Sequence, residues 1–279
     1  MVLHRERGFT LIDTAVVVVI LGCLMSGVLK AQELIQSARV RALIAQQQDI
    51  KAAYYAFYDR YKALPGDYSA ASTNINCGAT ACLDGDGDGR INSSAGGSAN
   101  GNNGGANGNH GNGNNGNGNG NYTNNGNNGN HGGGGQSGVV NEALLAWAHL
   151  SAAGFLKGNF ALASASVSVP DDSNSPKNPY GAYLQIGFDS ACGSNTNPVS
   201  SHNIKTGNLI PVALLAEIDR KVDDGCPGSG HFQFSTYAGA GMAPDIGGTD
   251  PQSCTTRDDQ TATWNEVGGQ TNCGAASLL

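Results

Sequence analysis

The chain has 279 residues, 42 of them glycine, seven cysteines and a formal net charge of -7. So acidic a balance excludes the covering of phosphate backbones as a main activity, since that calls for a basic face, and nucleic acid is not an expected partner. A hydrophobic share of 39% suffices for a packed core. The glycines crowd between positions 93 and 138, however, which leaves one domain and a long anchor helix as the foldable remainder.

The first eight residues are short and polar, and an apolar run of 21 residues begins abruptly at Phe9 and lasts to Leu29. At ~1.5 Å of rise per residue, that run matches the ~30 Å hydrocarbon layer of a bilayer. No small-x-small cleavage site ends it and the helical pattern continues past Lys30, so it is not an ordinary secretory signal. Asp13 sits among Phe9, Leu11, Ile12 and the valines from 16 to 19. A carboxylate in mid-membrane costs about 2.5 to 3.5 kcal/mol on insertion scales, so it needs a partner. A free amine on Phe9 of another copy, at the same depth, would be one, and it requires a cut after Gly8.

Gly8-Phe9-Thr10-Leu11-Ile12-Asp13 resembles the processing site of type IV prepilins. The resemblance implies that a dedicated peptidase removes the leader, residues 1–8, and N-methylates Phe9. The family usually carries glutamate at the fifth mature position, so Asp13 departs from it by one methylene while keeping the charge. The resemblance covers about the first 70 residues, because leader, cut site, acid and apolar run occur together there. It further implies an inner-membrane precursor, then an extracellular filament. The expected partners are other copies of the chain, the prepilin peptidase and a pilus or secretion assembly machinery.

The helix should not stop at the membrane. Between Lys30 and Tyr61 there is no Gly or Pro, and Leu34, Ile35, Ala38, Ala42, Ala45, Tyr54, Phe57, Tyr58 and Tyr61 recur near helical spacing. Residues 9–29 are thus a membrane or filament-core helix and 30–62 its amphipathic continuation, ended by Pro65 and Gly66. Gly22 and Gly27 are places where it could loosen on assembly.

The head spans 63–279. Its Leu64-Pro65-Gly66-Asp67-Tyr68 turn, the Trp147-containing segment after Asn141 and the Ile218 to Gly225 segment resemble, in order, a group of pilins and pseudopilins. Asp84, Asp86 and Asp88 occupy the first, third and fifth positions of an EF-hand-type loop, with Gly89 for the sharp turn, a carbonyl at Arg90 and Asn92 at the ninth. Dense carboxylates repel one another when bare, which favours calcium, as a structural ion, over a solvated polar turn. The twelfth position is Ala95, so Glu142, brought back after the glycine-rich stretch, is the expected closing ligand.

Asn141 should cap a helix reaching Gly154, on which His149 reads as a surface or core-edge residue. Leu184, Ile186 and Phe188 alternate as a half-buried strand, Pro211 opens a helix over 212–222, and 231–234 is a second strand. Asp219, Asp223 and Asp224 read as an exposed helix end followed by a turn, with a further metal site as the alternative. The fold class is therefore α+β, a long helix packed on a small antiparallel-sheet head. Residues 93–138, nearly all Gly, Asn, Ser and Ala, have little apolar surface to offset ordering entropy and are expected to form a flexible displayed insert.

Six cysteines, Cys77, Cys82, Cys192, Cys226, Cys254 and Cys273, follow the apolar run that holds Cys23. An even set beyond a membrane segment points to an oxidising compartment, and six cysteines allow 15 pairings. Short spacing favours Cys77 with Cys82 and Cys254 with Cys273, leaving Cys192 for Cys226. No Ser/His/Asp order, closed metal site or P-loop stands out, so a structural filament subunit is expected rather than an enzyme. A type II secretion pseudopilin and a minor tip pilin acting as an adhesin are the alternatives.

Overall fold

The structure, a computed structural model, describes residues 11–78, 82–92, 140–190, 200–244 and 253–279. Gly8, Phe9, Cys192 and the insert at 93–138 lie outside the described residues. The chain folds as α+β: helix α1 (Leu11–Tyr61), a single-turn α2 (Ala71–Asn74), α3 (Glu142–Ala152), strands β1 (Gln185–Asp189) and β2 (Ser201–Lys205), α4 (Val212–Val222), β3 (Phe232–Phe234), a 3-10 turn (Glu266–Gly268) and β4 (Ala275–Leu278). A long N-terminal apolar helix on a small antiparallel sheet is compatible with a pilin-like fold.

Helix α1 has 51 residues, about 76 Å at ~1.5 Å per residue, and it divides into two regimes. Positions 11 to 36 are all exposed, with Leu11 90%, Met25 70% and Leu34 71% accessible. This part is long and apolar enough to cross a membrane. From Val40 onward one face is buried, through Leu43, Gln47, Ile50, Ala53, Tyr54 and Phe57. That seam differs from the stripe expected from the sequence. Leu34, Ile35, Ala38, Ala42 and Ala45 are exposed, and of the aromatic residues Tyr58 faces out while Tyr54 and Phe57 face in. Leu34 and Ile35 precede Val40, where burial by the head begins, and alanine carries little preference for either side, so large residues at i, i+3 and i+4 from Val40 onward decide the seam.

The sheet is antiparallel throughout, in the order β1-β2-β4-β3. Strand β1 pairs with β2 from Gln185 opposite Lys205 to Asp189 opposite Ser201. Strand β4 runs between β2 and β3, with Lys205 opposite Ala276 and Phe234 opposite Ala275. Two core regions lie along α1. One joins Ile50, Tyr54 and Phe57 to Trp147 and Leu150 of α3 and to Leu184, Ile186 and Ile204 of the sheet. The other joins Val40 and Leu43 to α4, Phe232, Phe234 and Trp264. Disulfides link Cys77 to Cys82 and Cys254 to Cys273. Cys226 makes no disulfide among the described residues.

Candidate metal site

Three segments distant in sequence converge at the end of α1. The first is the turn after the helix, where Gly66 takes a φ of 92°. A Cβ there would overlap the carbonyl oxygen of Glu142, so glycine is what lets the turn lie against α3. The second is the acidic loop, whose Gly85 sits so close to Gly66 and Asp67 that a side chain would collide with their backbone. Gly85 N donates to Tyr68 O at 3.1 Å. The third is the first turn of α3, capped by Asn141, whose Oδ1 accepts from Leu144 N at 3.3 Å.

Within the loop, each aspartate folds the chain ahead of it. Asp88 N donates to Asp86 Oδ1 at 3.0 Å and Arg90 N to Asp88 Oδ1 at 2.8 Å, successive Asx turns made compact by Gly87 and Gly89 at positive φ. The loop then joins the sheet edge, where Phe188 N of β1 donates to Ile91 O at 2.8 Å.

Four carboxylates meet there, from Asp67, Asp86, Asp88 and Glu142, with one oxygen of each within 4.8 Å of the others. Ligands on opposite sides of a calcium ion, at about 2.3 to 2.6 Å each, are separated by about 4.6 to 5.2 Å, so this set is the size of one coordination shell. Asp67 and Glu142 are only 4% and 3% exposed, while Asp86 and Asp88 face solvent. Glu142 Oε1 accepts from Asp86 N at 3.1 Å and Oε2 from Asn92 N at 2.9 Å. Asp67 Oδ2 accepts from Gly89 N at 3.1 Å, and among the described residues no donor makes a hydrogen bond of good geometry to its buried Oδ1. A buried carboxylate oxygen left unmatched is costly. Among the described residues none of the four acids forms an ion pair. A hard cation fits the donor set, which is all oxygen and partly open to water.

Burial and the neighbouring carboxylates push the Asp67 carboxyl up to about 6 and Glu142 up to about 7, against inward-pointing backbone amides that lower both. Glu142 is thus inclined to hold a proton near neutral pH and Asp67 somewhat below it, unless a cation takes the proton's place.

The expected ligands are not all gathered. Asp84 stands apart: its Oδ1 accepts from Ser72 N at 2.7 Å and its Oδ2 from Ser72 Oγ at 2.8 Å, so it ties the loop to α2. Asp67 is the acid that joins Asp86, Asp88 and Glu142 instead. The Arg90 guanidinium lies over the Phe188 ring, 5.2 Å from its centre. Asn92 serves through its backbone, its O accepting from Glu142 N at 3.1 Å and Ala143 N at 3.3 Å, while its side chain reaches Asp88 at 3.4 Å. Asp13 lies in the exposed first turn of α1.

His149 also differs from its reading as a surface or core-edge residue. It is fully buried, because α3 is enclosed on every side from Asn141 to Leu150 and has no solvent face. Asp219, Asp223 and Asp224 form a second acidic group. Asp219 is likewise fully buried rather than exposed.

Neither family models, nor characterised proteins, nor solved structures match this chain.

Proposed function

We propose that this protein is the structural subunit of a type IV pilus-like extracellular filament, cut between Gly8 and Phe9 and polymerised through the N-terminal part of α1. The observation that carries this reading is the division of α1. Its first 26 described residues expose an unbroken apolar surface, whereas the rest is packed into the head. Such a surface is stable in lipid and, after extraction, against copies of itself. Asp13, placed in that surface, pairs with the Phe9 amine of a neighbour and sets register more than it adds net stability.

The inner membrane holds the precursor and the cell surface carries the product, with the prepilin peptidase and an assembly machinery as partners. Copies of the head face outward and hold structural calcium at Asp67, Asp86, Asp88 and Glu142. The role is structural rather than catalytic.

Mass analysis of the mature N-terminus and imaging of sheared surface material test this together. The expected result is a singly methylated Phe9 terminus and filaments containing this chain, with Asp13→Ala inserting in the membrane normally but yielding several-fold less fibre. A retained Met1, or wild-type fibre from Asp13→Ala, overturns the proposal.

A further inference from the structure

His149 occupies a position that the four acids alone do not explain. It lies seven residues beyond Glu142 on α3, is 0% exposed, and uses both ring nitrogens. The backbone N–H of Gly66 donates to its Nδ1 at 3.0 Å. An amide can only donate, so Nδ1 must be unprotonated and the ring hydrogen sits on Nε2. Nε2 then donates to Leu83 O at 2.9 Å. The ring is stacked on Phe57, with planes 7° apart and centroids 6.1 Å apart, which fixes its orientation from α1. Burial pushes its pKa down to about 4, so it stays neutral and keeps this tautomer at physiological pH.

The two bonded partners are informative. Gly66 immediately precedes Asp67, and Leu83 opens the loop that carries Asp86 and Asp88. Glu142 sits on the same helix as His149. One neutral imidazole therefore bridges all three segments that bring a carboxylate to the site, without itself joining the acidic group. We propose that His149 is the positioning residue of this site: it sets the spacing between Asp67, the acidic loop and Glu142, and thereby the affinity for a hard divalent cation. This deepens the calcium assignment and rests on it.

Two replacements of similar size differ in what they can do at this spot. Phenylalanine would keep the stacking on Phe57 and much of the volume but neither bond. Glutamine offers an acceptor and a donor on one amide and can serve Gly66 N and Leu83 O together. If position 149 mattered only for packing, phenylalanine would be the better replacement; if it positions the site, glutamine would be.

The test is calcium titration of the full-length chain in detergent by calorimetry, at a temperature well below melting. Wild type, His149→Phe, His149→Gln and Leu215→Ala are compared; Leu215 lies in the other core region, which includes no residue of α3, of the Gly66–Asp67 turn or of the acidic loop. His149→Phe is expected to weaken calcium binding about 10- to 100-fold, the usual cost of losing a group that orients ligands. His149→Gln should recover most of that loss, and Leu215→Ala should lower the melting temperature without changing the calcium Kd. Equal calcium affinity in wild type and His149→Phe, or glutamine binding no better than phenylalanine, overturns the positioning role while leaving the site standing. No calcium binding by wild type overturns the site itself. Should His149→Phe fail to fold, the 15N shifts of the wild-type ring decide: an Nε2-protonated ring at neutral pH, unchanged on adding calcium, is expected. A ring protonated on Nδ1 contradicts the bridge.

Discussion

Two acidic corners of the head look alike in composition and differ in how their oxygens are matched. Asp219, Asp223 and Asp224 bring three carboxylate oxygens within 4.8 Å, as Asp67, Asp86, Asp88 and Glu142 do. Each corner holds a buried aspartate pushed up to about 6 by burial. At Asp219 both oxygens have donors, the Trp264 indole N–H at 2.7 Å and Gly225 N at 3.2 Å. Asp223 accepts from the amides of His231 and Phe232, and Asp224 from Cys226 N and Ser229 Oγ. The buried acid of that corner is thus matched by the chain's own donors, and the corner ties α4 to Trp264 and to the start of β3. At the Asp67 corner, by contrast, the buried Oδ1 receives no well-formed hydrogen bond among the described residues. Counting donors, rather than counting acids, separates a structural turn from a ligand site.

The comparison can be broken most directly by exchanging charge for amide. Asp67→Asn should abolish the calcium response, removing about 3 kcal/mol of stabilisation when calcium stands at 100 times its wild-type Kd, as thermal melts with and without the ion would show. Asp219→Asn should instead cost about 1 to 3 kcal/mol equally with and without calcium, because one of its oxygens becomes a donor facing Trp264 Nε1–H or Gly225 N. A calcium-dependent loss at Asp219 together with a calcium-independent one at Asp67 would reverse the assignment of the two corners.

Acidity sharpens the same contrast. Asp67 and Glu142 bind their protons more tightly folded than unfolded, so the stability they contribute is full at low pH and is lost as pH rises through about 6 to 7. His149 acts in the opposite sense: its contribution is present above its ordinary range and lost as pH falls toward about 4. Calcium replaces the protons on the acids, so the rise in melting temperature that it produces should grow steadily from pH 5 to pH 8. An increment that is flat over that range contradicts an ion held by these two acids.

The smallest expected effect concerns the connection at the site. Replacing residues 93–139 with a five-residue glycine linker should stabilise the head by about 2 kcal/mol or less through reduced closure entropy, with calcium affinity unchanged within a few-fold. A large loss of affinity would place a ligand within the removed stretch.

Much of this was legible in the sequence. The 21-residue apolar run, the absence of Gly and Pro through Tyr61, the cap at Asn141 and the proline before Val212 each act within a few residues, and the corresponding helices stand where those signals put them. The alternation at Leu184, Ile186 and Phe188 likewise marked β1. Strands β2 and β4 gave no such signal. One is Ser-His-Asn-Ile-Lys, with Lys205 buried against Asp189 and Gln185, and the other is Ala-Ala-Ser-Leu. Their strand character comes from pairing with neighbours, not from their own residues.

At the site, Asp86 and Asp88 were readable from loop spacing and Glu142 only as an acid to replace the Ala95 that stands at the loop's twelfth position, whereas Asp67 was visible only as part of a turn. Nothing local says that Gly66 and Gly85 let that turn pack against the loop. An EF-hand template put Asp84 first in the ligand order, yet Ser72, twelve residues upstream, takes both of its oxygens. Long-range contacts decided both cases.

Asn92 and Glu142 are joined by hydrogen bonds in both directions, the first turn of α3 resting on the Asn92 carbonyl. The two ends of the stretch 93–139 are thereby held close to one point of the head. Each doubling of such a tether adds only about 0.6 kcal/mol of closure cost. The acidic corner thus acts as a covalent clasp: it pins both ends of the intervening stretch, so the length of that stretch weighs little on the stability of the fold.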